Sequence, residues 1–355
     1  MQMRLSKESR ALFRAKRRFS WASIGIAALL LVLLLSYVIY DNSLISTEFL
    51  SISMPTLPKS MEGYSILHLS DIHERNLGEG GKALNPLLGG KRPNIAVISG
   101  GLVDANGHGE GFLQALQYLH SLGVSSYFVL GESDPPYMDF QPDGSYAVNP
   151  LYLSAQVLGG VYLDSPLRLY EGDPSLWLVP ASSLSLDAKS AIDSLNALEE
   201  SYRGSEALVR ASGHTLEALL ANVGSKLETA QRFLDRQELR KPTDLNILVS
   251  HIPALSEDMQ SQSSSQIFAE GDLILSGHNH GPQYRLILPL WVGNEQFGRG
   301  GWFPGETFMR GFTTASGQPQ YINPGLGTGR PFPQNYRLFS TPGIAMIQLT
   351  RSVAS

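Results

Sequence analysis

Five residues that commonly bind metal ions follow the ends of three apolar segments in this sequence. They are Asp71, His73, His251, His278 and His280. Asp-x-His and His-x-His pairs on loops can each chelate one ion, because alternate side chains at a turn can point to one centre. The chain has no cysteine, which excludes a thiolate metal site, a disulfide framework and a cysteine nucleophile. Imidazole and carboxylate ligands without sulfur suit Mn, Fe or Zn, so the pattern predicts a metal site of that kind.

The segments that carry these residues are predicted strands of an α/β fold. Apolar runs end near Asp71 and Gly101, and a segment with helical apolar spacing follows at 111–123. The strand pattern resumes at 245–251 and again at 272–280. In such folds ligands bind near the carboxyl ends of the strands. We therefore expect residues that are far apart in sequence to meet at one edge of the sheet.

The order of these motifs resembles that of the calcineurin-like metallophosphoesterases, and more closely their membrane-anchored bacterial branch, over about residues 64–349. The family motifs DxH, GDxxD, GNHD, a lone His and GHxH read here as DIH (71–73), GGLVD (100–104), GESD (131–134), SHIP (250–253) and GHNH (277–280). The resemblance implies a four-layer α/β/β/α sandwich of two packed sheets with helices outside. It also places NPGLGTGRP (323–331) at the family's late glycine-rich turn near the site.

The resemblance further implies which residues hold two divalent metal ions. Asp71, His73 and His280 correspond to the ligands of one ion. Glu132, His251 and His278 correspond to the ligands of the other. In the family a metal-bound hydroxide attacks phosphorus in line while the ions neutralise the developing charge. The implied reaction is hydrolysis of a phosphoester, a phosphodiester or a pyrophosphate.

Two motifs depart from the family pattern at positions that bear on catalysis. Gly101 stands where the family has the aspartate that bridges both ions, and Ser133 stands where it has a histidine that assists at the leaving group. The family motif makes Ser133 and Asp134 the predicted catalytic positions. Two dications about 3.5–4 Å apart repel strongly, so the loss of the bridge should weaken the pair and leaves occupancy of the second site open. Loss of the histidine predicts turnover that is slower by ~10²–10⁴.

Glu132 stands where the family has a neutral asparagine, and it restores the number of negative charges at the site. We hypothesise that Glu132 compensates for Gly101 by binding the second ion and reaching between the two ions. Asp104 is a weaker candidate for the same role. His108, four residues further on, could reach a bound phosphate, although a solvated loop is the simpler interpretation. Three aromatic residues either line a substrate cleft or pack in the core: Trp302, Phe303 and Phe308.

The first 40 residues predict a membrane anchor. Residues 1–18 carry seven Arg or Lys and one Glu, whereas residues 19–40 carry no charge. At ~1.5 Å per residue, residues 19–40 are long enough to cross a hydrocarbon core of roughly 30 Å. The basic flank predicts a cytoplasmic N-terminus and an extracytoplasmic domain in a single-pass protein of the cell membrane. A cleaved signal peptide is the alternative, but residues 37–41 lack a small-residue cleavage pattern, which favours an uncleaved signal anchor.

The remaining chain divides into a tether and a single domain. Residues 41–60 are predicted as a tether with one edge strand near 48–54, and residues 61–355 as the catalytic domain. A helical stretch at about 185–241 is predicted to be an inserted hairpin on the domain, with an interaction arm as the alternative. The net charge is −5, and beyond residue 18 it is about −11, which argues against nucleic acid as a partner.

Three functions compete at this stage. The leading one is a membrane-anchored metallophosphoesterase acting on a phosphorylated small molecule or an envelope lipid. The second is a pseudoenzyme that keeps the fold and serves as a binding or scaffold protein, which Gly101 and Ser133 favour. The third is a serine hydrolase with Ser133 as nucleophile and His251 or His278 as base. A nucleophile elbow requires glycine where Pro135 stands, and this function leaves DIH and HNH unexplained.

Overall fold

A computed structural model of the chain describes most of its residues. The described ranges are 7–181, 187–254, 271–281, 284–285, 289–290, 309–315, 317–328 and 336–351. Trp302, Phe303 and Phe308 lie outside these ranges, and so do the first six residues and the start of the predicted helical insertion at 185–186.

Six α-helices, three short 3₁₀-helices and sixteen strands are the regular elements of the described residues. The helices are α1 (Lys7–Ser43), α2 (Glu110–Ser121), α3 (Pro150–Val157), α4 (Ala188–Gly204), α5 (Glu206–Ser212) and α6 (Leu216–Glu238). The strands are β1 (Ser46–Ser53), β2 (Ser65–Leu69), β3 (Ile95–Ser99), β4 (Ser125–Val129), β5 (Met138–Phe140), β6 (Tyr146–Val148), β7 (Gly160–Tyr162), β8 (Leu167–Tyr170), β9 (Leu176–Pro180), β10 (Leu245–Val249), β11 (Leu273–Ser276), β12 (Tyr284–Arg285), β13 (Pro289–Leu290), β14 (Gly311–Ala315), β15 (Gln318–Ile322) and β16 (Gly343–Thr350).

Two six-stranded sheets form the body of the domain. The first has the order β1-β16-β2-β3-β4-β7, and the second has the order β14-β15-β11-β10-β9-β8. In the first sheet the neighbouring strands β2, β3, β4 and β7 are parallel. In the second sheet the neighbouring strands β9, β10, β11 and β15 are parallel. Apolar side chains of both sheets, among them Ile66, Val97, Ile247 and Leu275, share one buried cluster, so the sheets pack face to face. The predicted α/β fold with two packed sheets is confirmed.

The outer face of the first sheet is covered by two helices. Side chains that alternate with those of the inner face, such as Leu67 and Ile98, point outward and pack against Phe112 and Leu116 of α2 and Tyr152 of α3. This two-residue alternation along a strand buried on both faces explains why the strands are almost wholly apolar. The carboxyl ends of β2, β3 and β4 are thereby fixed at one edge.

The predicted helical insertion corresponds to α4, α5 and α6, within the described residues. Helix α6 packs against α4 and meets the hairpin formed by β5 and β6. Arg232 of α6 forms an ion pair with Asp164, and Arg236 donates a hydrogen bond to the carbonyl oxygen of Pro166. These contacts place α6 on the domain surface beside the start of β8.

The segment predicted as a tether is a strand over part of its length. The edge strand predicted near residues 48–54 is β1, and all eight of its residues pair in parallel with β16. This pairing satisfies backbone amide and carbonyl groups of β16 that would otherwise be unpaired at the edge of the sheet. Since β16 is antiparallel to β2, the first residue of β1 lies at the same edge as the last residue of β2.

Helix α1 contains a segment that could cross a membrane. Among the described residues, Trp21–Ser43 is the one helical stretch that is long and apolar enough to do so, and the side chains of its most apolar part are not buried against the domain. This finding concerns length and composition alone.

Candidate metal centre

All six predicted metal ligands lie on loops that follow strands of the two sheets. Asp71 and His73 follow β2, and Glu132 follows β4. His251 follows β10, and His278 and His280 follow β11. The strands within each sheet are parallel at these positions, so their carboxyl ends bring the six side chains to the facing edges of the two sheets.

Four of these residues have a backbone conformation that side chains disfavour. The φ angles of Asp71, His73, His278 and His280 are 47°, 44°, 68° and 54°, in the left-handed region. Such a conformation costs about 1–3 kcal/mol per residue and persists where surrounding contacts impose it. The amides of Asp71 and His73 donate to the carbonyl oxygens of Gly100 and Gly101, which holds the DIH loop in place. Backbone strain of this kind clusters at functional sites.

The six side chains form two groups of three. One group is Asp71, His73 and His280, and the other is Glu132, His251 and His278. Within each group one potential ligand atom per residue lies within 4.8 Å of the others. These are the same two sets that the motif order predicts.

One carboxylate oxygen lies close to both groups. The Oδ1 atom of Asp71 is 3.7 Å from Nε2 of His73 and 3.8 Å from Nε2 of His280. It is also 3.9 Å from Nε2 of His251, which belongs to the other group. Asp71 is fully buried, and its Oδ1 accepts no hydrogen bond, whereas its Oδ2 accepts one from the amide of His278. A buried carboxylate oxygen without a donor is costly unless a ligand binds it.

Three imidazoles are oriented by hydrogen bonds on the ring nitrogen that faces away from the centre. Nδ1 of His73 is 2.6 Å from the carbonyl oxygen of Val103, and Nδ1 of His251 is 2.7 Å from that of Ser99. Nδ1 of His280 is 3.2 Å from the carbonyl oxygen of Gly327. A carbonyl on Nδ1 selects the tautomer whose Nε2 carries a lone pair, as is usual for histidines that bind metals. The donor set and its orientation therefore fit divalent metal ions.

Gly101 leaves no room for the side chain that the family carries there. A Cβ atom at this position would lie 2.7 Å from Cα and 2.9 Å from Oδ1 of Asp71, and 3.0 Å from Nε2 of His73. Its φ of +69° is also in the left-handed region. The volume between the two groups is thus occupied by Asp71.

Glu132 joins the two histidines of its group. Its carboxylate oxygens lie 3.0 Å from Nε2 of His251 and 3.0 Å from Nδ1 of His278. Burial would raise the pKa of Glu132, but hydrogen bonds from the two histidines hold it well below its usual value. Burial would lower the pKa of His251, but the hydrogen bond to Glu132 and the charge of Asp71 raise it to about 9. Without a metal ion, His251 is therefore protonated at neutral pH.

His280 has the opposite protonation state. Burial lowers its pKa to about 3, because a positive charge there would be desolvated and the attraction of Asp71 only partly offsets this. A neutral imidazole is the form that binds a metal ion. His280 is thus already in a form that can bind a metal ion, whereas His251 must release a proton.

The two predicted catalytic residues lie in different surroundings. The Asp134 carboxylate accepts hydrogen bonds from the amides of Gly101 and Gly131 on Oδ2, and from those of Leu102 and Val103 on Oδ1. It fixes the 100–103 loop. Ser133 is exposed and lines a cavity of about 500 Å³ together with His73.

Asp104, considered as a second replacement for the bridging carboxylate, belongs to neither group. Its Oδ1 accepts hydrogen bonds from the amides of Asn106 and His108, and its Oδ2 lies 3.3 Å from Nδ1 of His108. The pair lies on the loop that forms one wall of the same cavity.

Sequence reasoning missed Arg337, which no motif contains. Its guanidinium is fully buried and donates to the carbonyl oxygens of Pro324 and Gly327, 2.7 and 2.5 Å away. The neighbouring turn, predicted to lie near the site, does so: the amide of Gly327 donates to the carbonyl oxygen of Asp71. A signal could have been the lone arginine in the late segment NYRLF.

A sequence model of the calcineurin-like phosphoesterase family matches residues 64–282, well over half of the chain. The chain belongs to the calcineurin-like phosphoesterase family. The resemblance drawn from the motifs is confirmed at this level, and a phosphoester-hydrolase function is supported. The matched range begins just before β2 and ends just after GHNH, so it contains both groups of predicted ligands.

Two solved structures are similar to this calcineurin-like chain. Phosphopantetheinyl hydrolase from Mycobacterium tuberculosis is 12% identical, with a TM-score of 0.37, and the match covers 79% of this chain and 98% of that one. A second solved structure is 10% identical, with a TM-score of 0.35, and the match covers 74% of this chain and 91% of the other. No curated protein matches the chain significantly.

Proposed function

We propose that this calcineurin-like protein is a membrane-anchored, metal-dependent phosphoesterase that binds two divalent ions. The observation that carries the proposal is the position of Asp71 Oδ1 between the two groups of ligands. An oxygen within reach of histidines from both groups can serve as the shared ligand that Gly101 does not supply. Asp71, rather than Glu132, then takes the role of the bridging carboxylate.

The six side chains would each have a defined task. His73 and His280 present their Nε2 atoms to the first ion, and Glu132, His251 and His278 hold the second. The ions themselves, of Mn, Fe or Zn, would generate a nucleophile from water at neutral pH and neutralise charge on the phosphate. Asp134 accepts hydrogen bonds from the amides of Gly101 and Leu102 and so keeps the 100–103 loop clear of the space where the ions would bind.

Ser133 predicts slow turnover of substrates with poor leaving groups. Its hydroxyl can donate a hydrogen bond to a phosphate oxygen, but it cannot act as a general acid at neutral pH. The cavity that Ser133 lines beside His73 is the space where the substrate would extend from the centre. The substrate is a phosphoester, a phosphodiester or a pyrophosphate, on a small molecule or an envelope lipid. The domain lies outside the cell membrane, held by the span at residues 19–40.

A pseudoenzyme is the second candidate, and the altered positions Gly101 and Ser133 favour it. The two functions are distinguished by hydrolysis of an activated aryl phosphodiester, bis(4-nitrophenyl) phosphate, by the full chain in detergent with added Mn²⁺. The matched variants are His251→Ala in the predicted centre and His120→Ala on the exposed side of α2. We expect metal-dependent turnover that His251→Ala abolishes and His120→Ala retains. Absence of turnover above the background of His251→Ala would favour a binding protein.

A further inference from the structure

The polarity of the strands puts the metal centre and the membrane helix at the same edge of the first sheet. Strand β1 runs parallel to β16, with Ser46 opposite Gly343. Strand β16 runs antiparallel to β2, with Ala345 opposite His68. Ser46, three residues after α1 ends, therefore lies at the edge where β2 ends and Asp71 begins the predicted centre.

The end of α1 is bonded to this edge of the domain. The side chain of Asn42 donates to the carbonyl oxygen of Arg337 at 2.6 Å and accepts from its amide at 2.7 Å. Arg75, two residues beyond His73, donates to the carbonyl oxygens of Asn42 and Ser43. Thr341 donates to the carboxylate of Asp41. The helix thus enters the domain at a defined place, next to the DIH loop.

A short series of hydrogen bonds links the end of α1 to His280, one of the predicted metal ligands. The backbone of Arg337 is bonded to Asn42, and its guanidinium donates to the carbonyl oxygen of Gly327. The same oxygen lies 3.2 Å from Nδ1 of His280. Since the apolar segment of α1 continues to Tyr40, the membrane interface would lie within about one helical turn, roughly 5 Å, of Asn42.

The same edge carries exposed aromatic residues. Tyr37 of α1 packs on Phe339, with ring centroids 5.2 Å apart. Tyr40, Tyr336 and Phe339 keep 61%, 42% and 36% of their surface exposed. Aromatic residues are enriched where a protein meets the headgroup region of a membrane. Tyr336 and Phe339 therefore extend the membrane-facing surface from the helix onto the domain.

We propose that the substrate of this centre is a phosphate ester borne by a lipid and hydrolysed at the membrane surface. This inference rests on the function proposed above and names its substrate class. A lipid headgroup lies in the plane where the edge with α1, Phe339 and the DIH loop would lie, so the lipid need not leave the bilayer. Hydrolysis joins the oxygen of water to phosphorus and breaks the bond from phosphorus to the leaving oxygen, which takes the proton.

The test compares one reaction with and without a lipid chain. The full chain is reconstituted in phosphatidylcholine vesicles containing a diacylglycerol 4-nitrophenyl phosphodiester, or supplied with soluble ethyl 4-nitrophenyl phosphate. Both esters release the same nitrophenol. We expect kcat/KM for the lipid ester to be at least about tenfold higher, because anchored enzyme and substrate share one surface. We also expect its rate to rise with the surface fraction of that ester.

Two variants separate membrane presentation from chemistry. Phe339→Asn removes an exposed aromatic ring at a residue with φ +55°, a conformation that asparagine tolerates. Val157→Asn removes an exposed apolar side chain at the end of α3, near the opposite edge where β7 begins. Phe339→Asn should lower turnover of the lipid ester severalfold and leave the soluble ester unchanged, and Val157→Asn should change neither.

The outcomes distinguish this inference from the function on which it rests. Equal rates for the two esters, or a preference for the soluble ester, would overturn the lipid substrate while leaving a phosphoesterase. Equal effects of the two variants on the lipid ester would likewise overturn it. Absence of turnover of both esters, with Mn²⁺ present, would overturn the phosphoesterase function itself.

Discussion

At the scale of single residues, Asp71 explains why position 101 is glycine. Its carboxylate occupies the space between the two ligand groups, and any side chain at 101 would contact it at less than 3 Å. The hypothesis that Glu132 reaches between the ions stays a prediction, and a shared Asp71 is the proposal that these distances support. Glu132 still supplies the negative charge of its own group through the two histidines at 3.0 Å.

Restoring the family's carboxylate should harm this protein. We expect Gly101→Asp to lower the free energy of unfolding by about 2–4 kcal/mol, because it adds overlap with Asp71 to the strain of a positive φ. Gly90→Asp is the matched control, since its φ is +74° and nothing lies within 4 Å of its added Cβ. Urea denaturation in the presence of a chelator measures the free energy of unfolding of both variants. Equal destabilisation by the two substitutions, together with tighter Mn²⁺ binding by Gly101→Asp, would show that Asp71 does not exclude a side chain at position 101.

The His251–Glu132 pair predicts a pH dependence of the metal-free protein. The pKa of His251 is raised to about 9 in the folded state, above its unfolded value of ~6.5. Its contribution to stability is thus fully present below pH ~6.5 and is lost as the pH rises through about 9. Denaturation in chelator between pH 6 and pH 9.5 should reveal this decline, on the order of 2 kcal/mol. Glu132→Gln should reduce this fall in the free energy of unfolding. An unchanged pH profile in Glu132→Gln would exclude the His251–Glu132 pair as the cause of the fall.

The two ligand groups could be predicted at this scale because motif order fixes which residues belong together. The position of Asp71 Oδ1 near both groups could not be predicted, since it depends on where one oxygen lies relative to histidines from the other sheet. Likewise, the four hydrogen bonds accepted by Asp134 follow from the folding of the 100–103 loop around it. No spacing in the sequence contains that information.

At the scale of elements, the loop after β3 is held by the loop after β4. Asp134→Asn would place an amide donor against backbone amides that now donate to a carboxylate. We expect a loss of about 2–3 kcal/mol in the free energy of unfolding and weaker Mn²⁺ binding, because the 100–103 loop borders both DIH and His251. Asp143→Asn is the control, since its carboxylate lies in an exposed turn and accepts from the amide and hydroxyl of Ser145. Loss of turnover with unchanged stability and metal affinity would instead make Asp134 a catalytic residue.

The strands that carry the site were predictable from their apolar runs, each of which ends at a polar residue. The connection from α1 to the domain was less predictable from the sequence. A sequence of mixed polar and apolar residues at 41–60 indicates an exposed segment, but its pairing depends on the far end of the chain. Strand β16 lies nearly 300 residues further on, and only the folded sheet brings it beside β1.

At the scale of the whole molecule, the basic residues before the uncharged segment at 19–40 predict the orientation of the domain. Alkaline phosphatase fused after residue 355 should be active, because it forms its disulfides only outside the cytoplasm. The same enzyme fused after residue 18 should be inactive. Equal activity of both fusions, or activity of the second alone, would contradict an extracytoplasmic domain. The measurement is hydrolysis of a chromogenic phosphate by intact cells.

The stoichiometry and magnetic coupling of bound Mn²⁺ test the proposal that two ions share Asp71. The full chain in detergent is loaded with Mn²⁺, freed of excess metal, analysed for manganese and measured by electron paramagnetic resonance. We expect two ions per chain with an exchange-coupled spectrum, because ions that share a ligand oxygen are typically about 3.5–4 Å apart. We also expect that Asp71→Asn loses the coupling, whereas Asp104→Asn keeps it. One uncoupled ion in the unaltered protein, or coupling that survives in Asp71→Asn, would contradict the proposal.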